Sequence, residues 1–262
     1  MNRIHIKIAD TGWILEKCAR EIAARGHNIG YGTDADHSAR LQYYVNYSAP
    51  TERVSPIELA FFTHSEQDER ARRRYFDAAA AVDHCVCMSQ RYATELVEAG
   101  HSNVSVISPG VDLEEFNPKV RIGVIGRTYH TGRKGEALVA QVMDTPGIEW
   151  RFTGSGWPGP STFVSDGGMA EFYNDLDYVL VPALYEGGPM AVLEGLACGV
   201  PIISADVGWA HEYPHIPFEN NDAASLKRVL TGLVDERLKL RSAVLDRSWT
   251  QWADQHLELF DR

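Results

Sequence analysis

The chain has 262 residues, a formal net charge of −11, 44% hydrophobic residues and 10% aromatic residues. That length suits one large domain or two moderate ones, each able to bury a core, and the acidity argues against broad nucleic-acid binding, which needs a basic surface. No apolar run reaches the length of about eighteen residues that a membrane span needs, and the start, MNRIHIKIADTGW, lacks the apolar block and cleavage site of a signal peptide.

Strands alternate with helices from the start. RIHIKIA (3–9) alternates as a strand, and WILEKCAREIAARG (13–26) follows as an amphipathic helix closed by Gly26. NIGYG, LQYYVNYS (41–48) and ELAFFTH (58–64) read as further strands. DERARRRYFDAAAA (68–81) is helical, DHCVCMS extended, QRYATELVEAG helical with Gly100 as its stop, and VSVIS extended. After PGVDLEEFNP the pattern restarts with VRIGVIG (120–126), then EALVAQVMD, IEWRFTG, MAEFYNDL, YVLVPA, the helix within YEGGPMAVLEGLACGVP (185–201), and PIISA. Two helices close the chain, over 222–236 and 248–260.

Such alternation predicts the α/β class, with parallel sheets covered on both faces. The restart predicts two Rossmann-like domains, 1–117 and 118–247, facing each other across a cleft, with the helix over 248–262 packing back on the first. Ligands of such sheets bind beyond the carboxyl ends of the strands.

Several common signatures fail. GRTYHTGRK (126–134) has its glycines one residue too far apart for a P-loop, and no Ser or Thr follows its lysine. ADTGW is not a dinucleotide fingerprint, and neither G-x-S-x-G nor H-E-x-x-H occurs. Asp34 and Asp36 could hold a divalent ion, but three acidic-rich letters in a polar loop are a cheap match, so no metal is expected. Cys18, Cys85, Cys87 and Cys198 contain no CxxC pair and read as reduced thiols of a cytoplasmic protein. Arg70, Arg72, Arg73 and Arg74 form either a solvated helix face or a patch for an anionic acceptor or membrane surface.

The run from Tyr185 to Pro201 is more specific. Pro189 suits the first helical position, and Gly187 and Gly188 leave backbone amides open to a ligand. A helix start attracts anions and hydroxyls, and Glu186 and Glu194 can accept hydrogen bonds from vicinal sugar hydroxyls, although spacing alone equally allows two surface charges. Arg127 and Lys134 leave the end of VRIGVIG in a loop with Gly126, Gly132 and Gly135, and an arginine fork beside a lysine charge fits a diphosphate. Together these groups predict a nucleotide-sugar site.

At these residues the sequence resembles the family-4 retaining glycosyltransferases of the GT-B fold. The E-x7-E element in EGGPMAVLEGLACGVPII carries most of the resemblance, joined by ISPGVDLEEFNP, GVIGRTYHTGRKG, WRFTGSGW, LEKCAREIAARGHNIG and VCMSQRYATEL. The resemblance implies that Arg127 and Lys134 hold the donor pyrophosphate. Glu186 and the amides from Gly187 to Met190 would hold the donor sugar, and Glu194 the ribose hydroxyls. His64 would face the transferred sugar, and Gly12 would let the first loop approach the phosphates. The implied reaction transfers a hexose from a nucleoside-diphosphate sugar to an acceptor hydroxyl with retention, without metal or cofactor; UDP-glucose is the default donor only because it is common. The acceptor is unspecified. The departures are a short amino-terminal half, TGW in the first loop, and Trp209 where the family has glycine. A nucleotide-sugar epimerase or hydrolase, or a non-catalytic nucleotide-sugar binder, are the alternatives on this fold.

Overall fold

A computed structural model describes residues 3–47 and 52–262. The strands are β1 (Ile4–Lys7), β2 (Ile29–Gly32), β3 (Leu41–Tyr44), β4 (Ile57–Phe62), β5 (His84–Cys87), β6 (Val104–Val106), β7 (Val120–Arg127), β8 (Ile148–Ser155), β9 (Ser161–Thr162), β10 (Tyr178–Val181), β11 (Ile202–Ser204) and β12 (Ile216–Pro217). The α-helices are α1 (Ile14–Ala23), α2 (Glu69–Ala81), α3 (Gln90–Glu98), α4 (Glu136–Val142), α5 (Met169–Asn174), α6 (Met190–Ala197), α7 (Ala223–Ser242) and α8 (Trp249–Phe260). The chain divides into two compact units, Met1–Phe116 with Val244–Arg262, and Asn117–Ala243.

The first unit carries a six-stranded sheet in the order β2-β1-β3-β4-β5-β6, every pair parallel. Its inner strands β3, β4 and β5 are buried on both faces, which is why they read as apolar runs instead of strict alternation. Helix α8 belongs to this unit. Trp252 donates its indole N–H to the Cys18 carbonyl at 3.0 Å and packs edge-on against Phe61, while Tyr43 meets Phe260 edge-on.

The second unit carries six parallel strands in the order β12-β11-β10-β7-β8-β9. Val120, Ile122 and Val124 of β7, with Val179, Leu180, Ile202 and Ile203, form its buried centre. The chain starts at β7, runs outward to β8 and β9, then crosses back to β10 on the other side of β7. The carboxyl ends of β7 and β10 therefore flank a topological switch point, where loops diverge and leave a crevice. Two parallel Rossmann-like sheets in one chain meet the α/β expectation.

Several local readings change. Helix α1 is not closed by a left-handed Gly26; Asn28 takes positive φ (61°). Gly26 packs closely instead, since a Cβ there would lie 2.2 Å from Ile29 Cδ1 and 2.8 Å from Leu257 Cδ2, and those side chains would have to shift. Gly100 does take positive φ (98°) after α3. The strand expected over LQYYVNYS stops at Tyr44, and Ser48 lies outside the described residues. Strands β9 and β12 are two residues long, too short to show any periodicity. Helix α7 runs six residues past the expected end at 236, to Ser242, with Lys239 and Arg241 in its last turn where the helix dipole favours cations. Among the described residues no helix is long and apolar enough to cross a membrane.

Candidate donor-binding site

Lys134 and Glu186 meet at the switch point of the second sheet. The loop after β7 turns at Gly132 and Gly135, both with positive φ, and the Leu184 N–H donates to the Arg133 carbonyl at 2.9 Å, tying that loop to the exit of β10. Gly135 allows this approach, because a Cβ there would sit 1.9 Å from the Pro182 carbonyl oxygen. Lys134 Nζ then lies 2.5 Å from Glu186 Oε2, and Arg133 Nη1 donates to the same oxygen at 2.9 Å. Burial would raise the Glu186 carboxyl, but the hydrogen bonds from Lys134 and Arg133 outweigh it and hold the group below its ordinary value.

Lys134 and Glu186 line a cavity of about 230 Å³ with Gly126, Trp157, Pro182, Gly188, Pro189, Met190 and Glu194, and Arg133 reaches Glu186 from outside that lining. Helix α6 opens toward it. Pro189 is the N-cap of that helix, not its first helical residue, so Met190 supplies the first turn. Gly187 is exposed, and a side chain there would meet nothing within 4 Å. Glu194, deeper on α6, accepts from the Tyr173 hydroxyl at 2.6 Å. Burial, and then this bond to Glu194, push the Tyr173 phenol well above its ordinary value, so it remains a donor.

The structure brings Gly126, Lys134, Glu186, Gly188, Pro189, Met190 and Glu194 to one cavity. Arg127 does not line it. Its guanidinium lies over the Tyr129 ring at 5.1 Å from the centroid, and Arg133 lies over the same ring at 4.5 Å. The two guanidiniums, Arg127 first and then Arg133, hold the Tyr129 phenol below its ordinary value.

Sequence reasoning missed Arg133, Tyr129, Tyr173 and the work of two tryptophans. Trp157 donates its N–H to the Gly126 carbonyl at 2.8 Å and caps the end of β7. Trp209 donates to the Pro189 carbonyl at 3.3 Å, and a Cβ on Gly188 would lie 2.6 Å from its ring, so it clamps the loop before α6. The KG pair and the tryptophan at a family glycine were the only traces of these contacts in the chain.

Gly12 and His64 belong to the first unit. The Gly12 N–H donates to Glu16 Oε2 at 2.6 Å. His64 follows β4, with Nδ1 2.9 Å from Thr63 Oγ1 and Nε2 3.2 Å from Glu66 Oε1. His64 lines a cavity of about 390 Å³ with Asn46, Tyr47, Thr63, Glu66 and Arg74. In the arginine run, Arg72 pairs with Glu95 at 2.9 Å and Arg73 with Glu69 at 3.4 Å, while Arg74 lines the cavity beside His64. Among the described residues no cluster of three or more metal-ligating side chains occurs, and Asp36 is engaged by Arg3 and Ser38.

The chain is similar in structure to sucrose-phosphate synthase from Thermosynechococcus elongatus, at 14% identity over 99% of this chain and 98% of that one, with a TM-score of 0.41. It is similar also to Anabaena HepE in complex with UDP-glucose, at 14% identity over 98% of each chain and a TM-score of 0.41, and with UDP, at 13% identity over 99% of each and 0.43. No curated protein matches the sequence. In sequence, residues 112–236 match the family model described as Glycosyl transferases group 1.

Proposed function

We propose that the protein transfers a hexose from a nucleoside-diphosphate sugar to an acceptor hydroxyl with retention of configuration, as a family-4-like glycosyltransferase with a short amino-terminal half. One observation carries this reading: cations, a helix start and two carboxylates gather at the switch point of a parallel sheet, within a matched glycosyltransferase domain. The cavity is smaller than the roughly 300–1,000 Å³ of ordinary ligand pockets, so it accepts one end of such a donor, the diphosphate and adjacent sugar.

Departure of the diphosphate builds negative charge while the sugar becomes oxocarbenium-like. Lys134, Arg127 and the start of α6 supply fixed positive potential for that charge, which lowers the barrier without reorganisation. Glu186 and Glu194 accept hydrogen bonds from donor hydroxyls, and the amides from Gly187 to Met190 steady the sugar. Gly126 leaves backbone open to the phosphates. The leaving phosphate takes the acceptor proton. This chemistry asks for no metal or cofactor.

The test incubates the chain with a panel of nucleotide sugars, UDP-glucose first, and measures melting temperature and nucleoside diphosphate release with and without acceptor hydroxyl compounds. Donor-dependent stabilisation with acceptor-dependent release supports transfer. Release that ignores acceptor identifies a hydrolase instead, and saturable binding without turnover identifies a binding protein.

A further inference from the structure

We propose that Arg133 is a phosphate ligand beside Lys134, and that Glu186 competes with the donor diphosphate for both cations. The inference rests on the nucleotide-sugar reading of this pocket and adds a residue and a release step to it.

Side chains of consecutive loop residues usually diverge. Here Gly132 and Gly135 turn the backbone on either side of Arg133 and Lys134, and both side chains reach one oxygen, Glu186 Oε2. The three side chains are mostly covered, with relative exposures of 25%, 21% and 15%. Two cations facing one carboxylate leave a local excess of positive charge, which attracts a second anion. Tyr129 sets the spacing, because its ring underlies Arg133 and Arg127 together, so a phosphate reaching Arg133 also approaches Arg127.

A phosphate oxygen and a carboxylate oxygen use the same guanidinium and ammonium donors. Diphosphate binding therefore draws Arg133 and Lys134 away from Glu186. A complete donor compensates, since its sugar hydroxyls then donate to the freed carboxylate. A bare diphosphate offers no such donors, and Glu186 is left half-buried without its partners. After transfer, Glu186 regains the two cations and helps discharge the nucleoside diphosphate. The carboxylate thus favours intact donor over spent product.

Calorimetric titration with inorganic pyrophosphate tests this without any assumption about base, sugar or acceptor. Glu186→Gln keeps the shape of the side chain and removes the competing charge, so pyrophosphate binds about tenfold more tightly than to the native chain. Arg133→Gln binds it about tenfold more weakly, and Arg133→Lys stays within about threefold of native. In the Arg133→Gln background, Glu186→Gln tightens binding by less than threefold, because one of the contested cations is gone. A gain in affinity cannot arise from structural damage. Unchanged or weaker binding by Glu186→Gln overturns the competition, and unchanged binding by Arg133→Gln overturns the assignment of Arg133. Absence of saturable binding in every form overturns both, along with the diphosphate reading. Failure of sugar transfer with these affinities intact rejects only the transferase reading.

Discussion

The hydroxyl of Tyr173, on α5, donates to Glu194 Oε2, on α6, at 2.6 Å, and so fixes the deeper of the two pocket carboxylates. Tyr173→Phe removes that hydrogen bond and little else. Donor binding weakens about fivefold, roughly the 1 kcal/mol of one hydrogen bond, with kcat nearly unchanged. Titration of UDP-glucose checks it, and Glu194→Ala weakens binding further.

Lys134 stands where the leaving charge grows. Lys134→Ala lowers turnover about a hundredfold, on the order of 3 kcal/mol of transition-state stabilisation. Steady-state rates of nucleoside diphosphate release measure this, and a loss confined to KM would place Lys134 in binding alone.

Two glycines of one loop respond differently to the same change. Gly135→Ala adds a methyl 1.9 Å from the Pro182 carbonyl oxygen at a backbone φ of 81°, and destabilises the second unit on the order of 3 kcal/mol. Gly132→Ala has the same kind of backbone, φ 70°, but open space around it, and loses only about 1 kcal/mol. Denaturant unfolding of both variants separates steric contact from backbone preference.

His256 makes the first unit sensitive to acid. Burial drives its imidazole down to about 4, and it sits neutral, Nδ1 at 2.8 Å from the Trp252 carbonyl and Nε2 at 2.8 Å from the Tyr43 hydroxyl. Nδ1 therefore donates and Nε2 accepts. A histidine with a depressed folded-state value is protonated first in the unfolded chain, so stability is full above pH 6.5 and falls as the pH drops toward 4. The loss amounts to about 3 kcal/mol. Unfolding of the native chain and of His256→Gln across that range tests this; the variant shows the shallower slope.

Chelation leaves sugar transfer unchanged. Asp36 is held by Arg3 at 3.1 Å and by the Ser38 hydroxyl at 2.6 Å. Loss of activity in EDTA, restored by Mn²⁺, would turn attention back to Asp34 and Asp36.

Much of the fold was legible because parallel strands buried on both faces must be apolar throughout, and YVLV and VRIGVIG announce themselves in that way. Glycine stops worked at Gly100 but not at Gly26, since a glycine serves close packing as readily as a left-handed turn, and the letters do not say which. Lys134 and Glu186 stood out because each lies in a loop leaving a strand, which is where α/β sheets hold ligands.

What the chain alone determined is the order of apolar strands and helices, and with it the two parallel sheets and the loops that carry charge at their carboxyl ends. Only the tertiary structure decided which of those charges touch. Arg133 reaches Glu186, Tyr173 reaches Glu194 and Trp209 covers Gly188, each across a crossover of the second sheet. The physical reason is that a local pattern encodes which face of an element is apolar, whereas a contact between separate loops depends on strand pairing, above all that of β7 with β10, which no window of neighbouring residues contains.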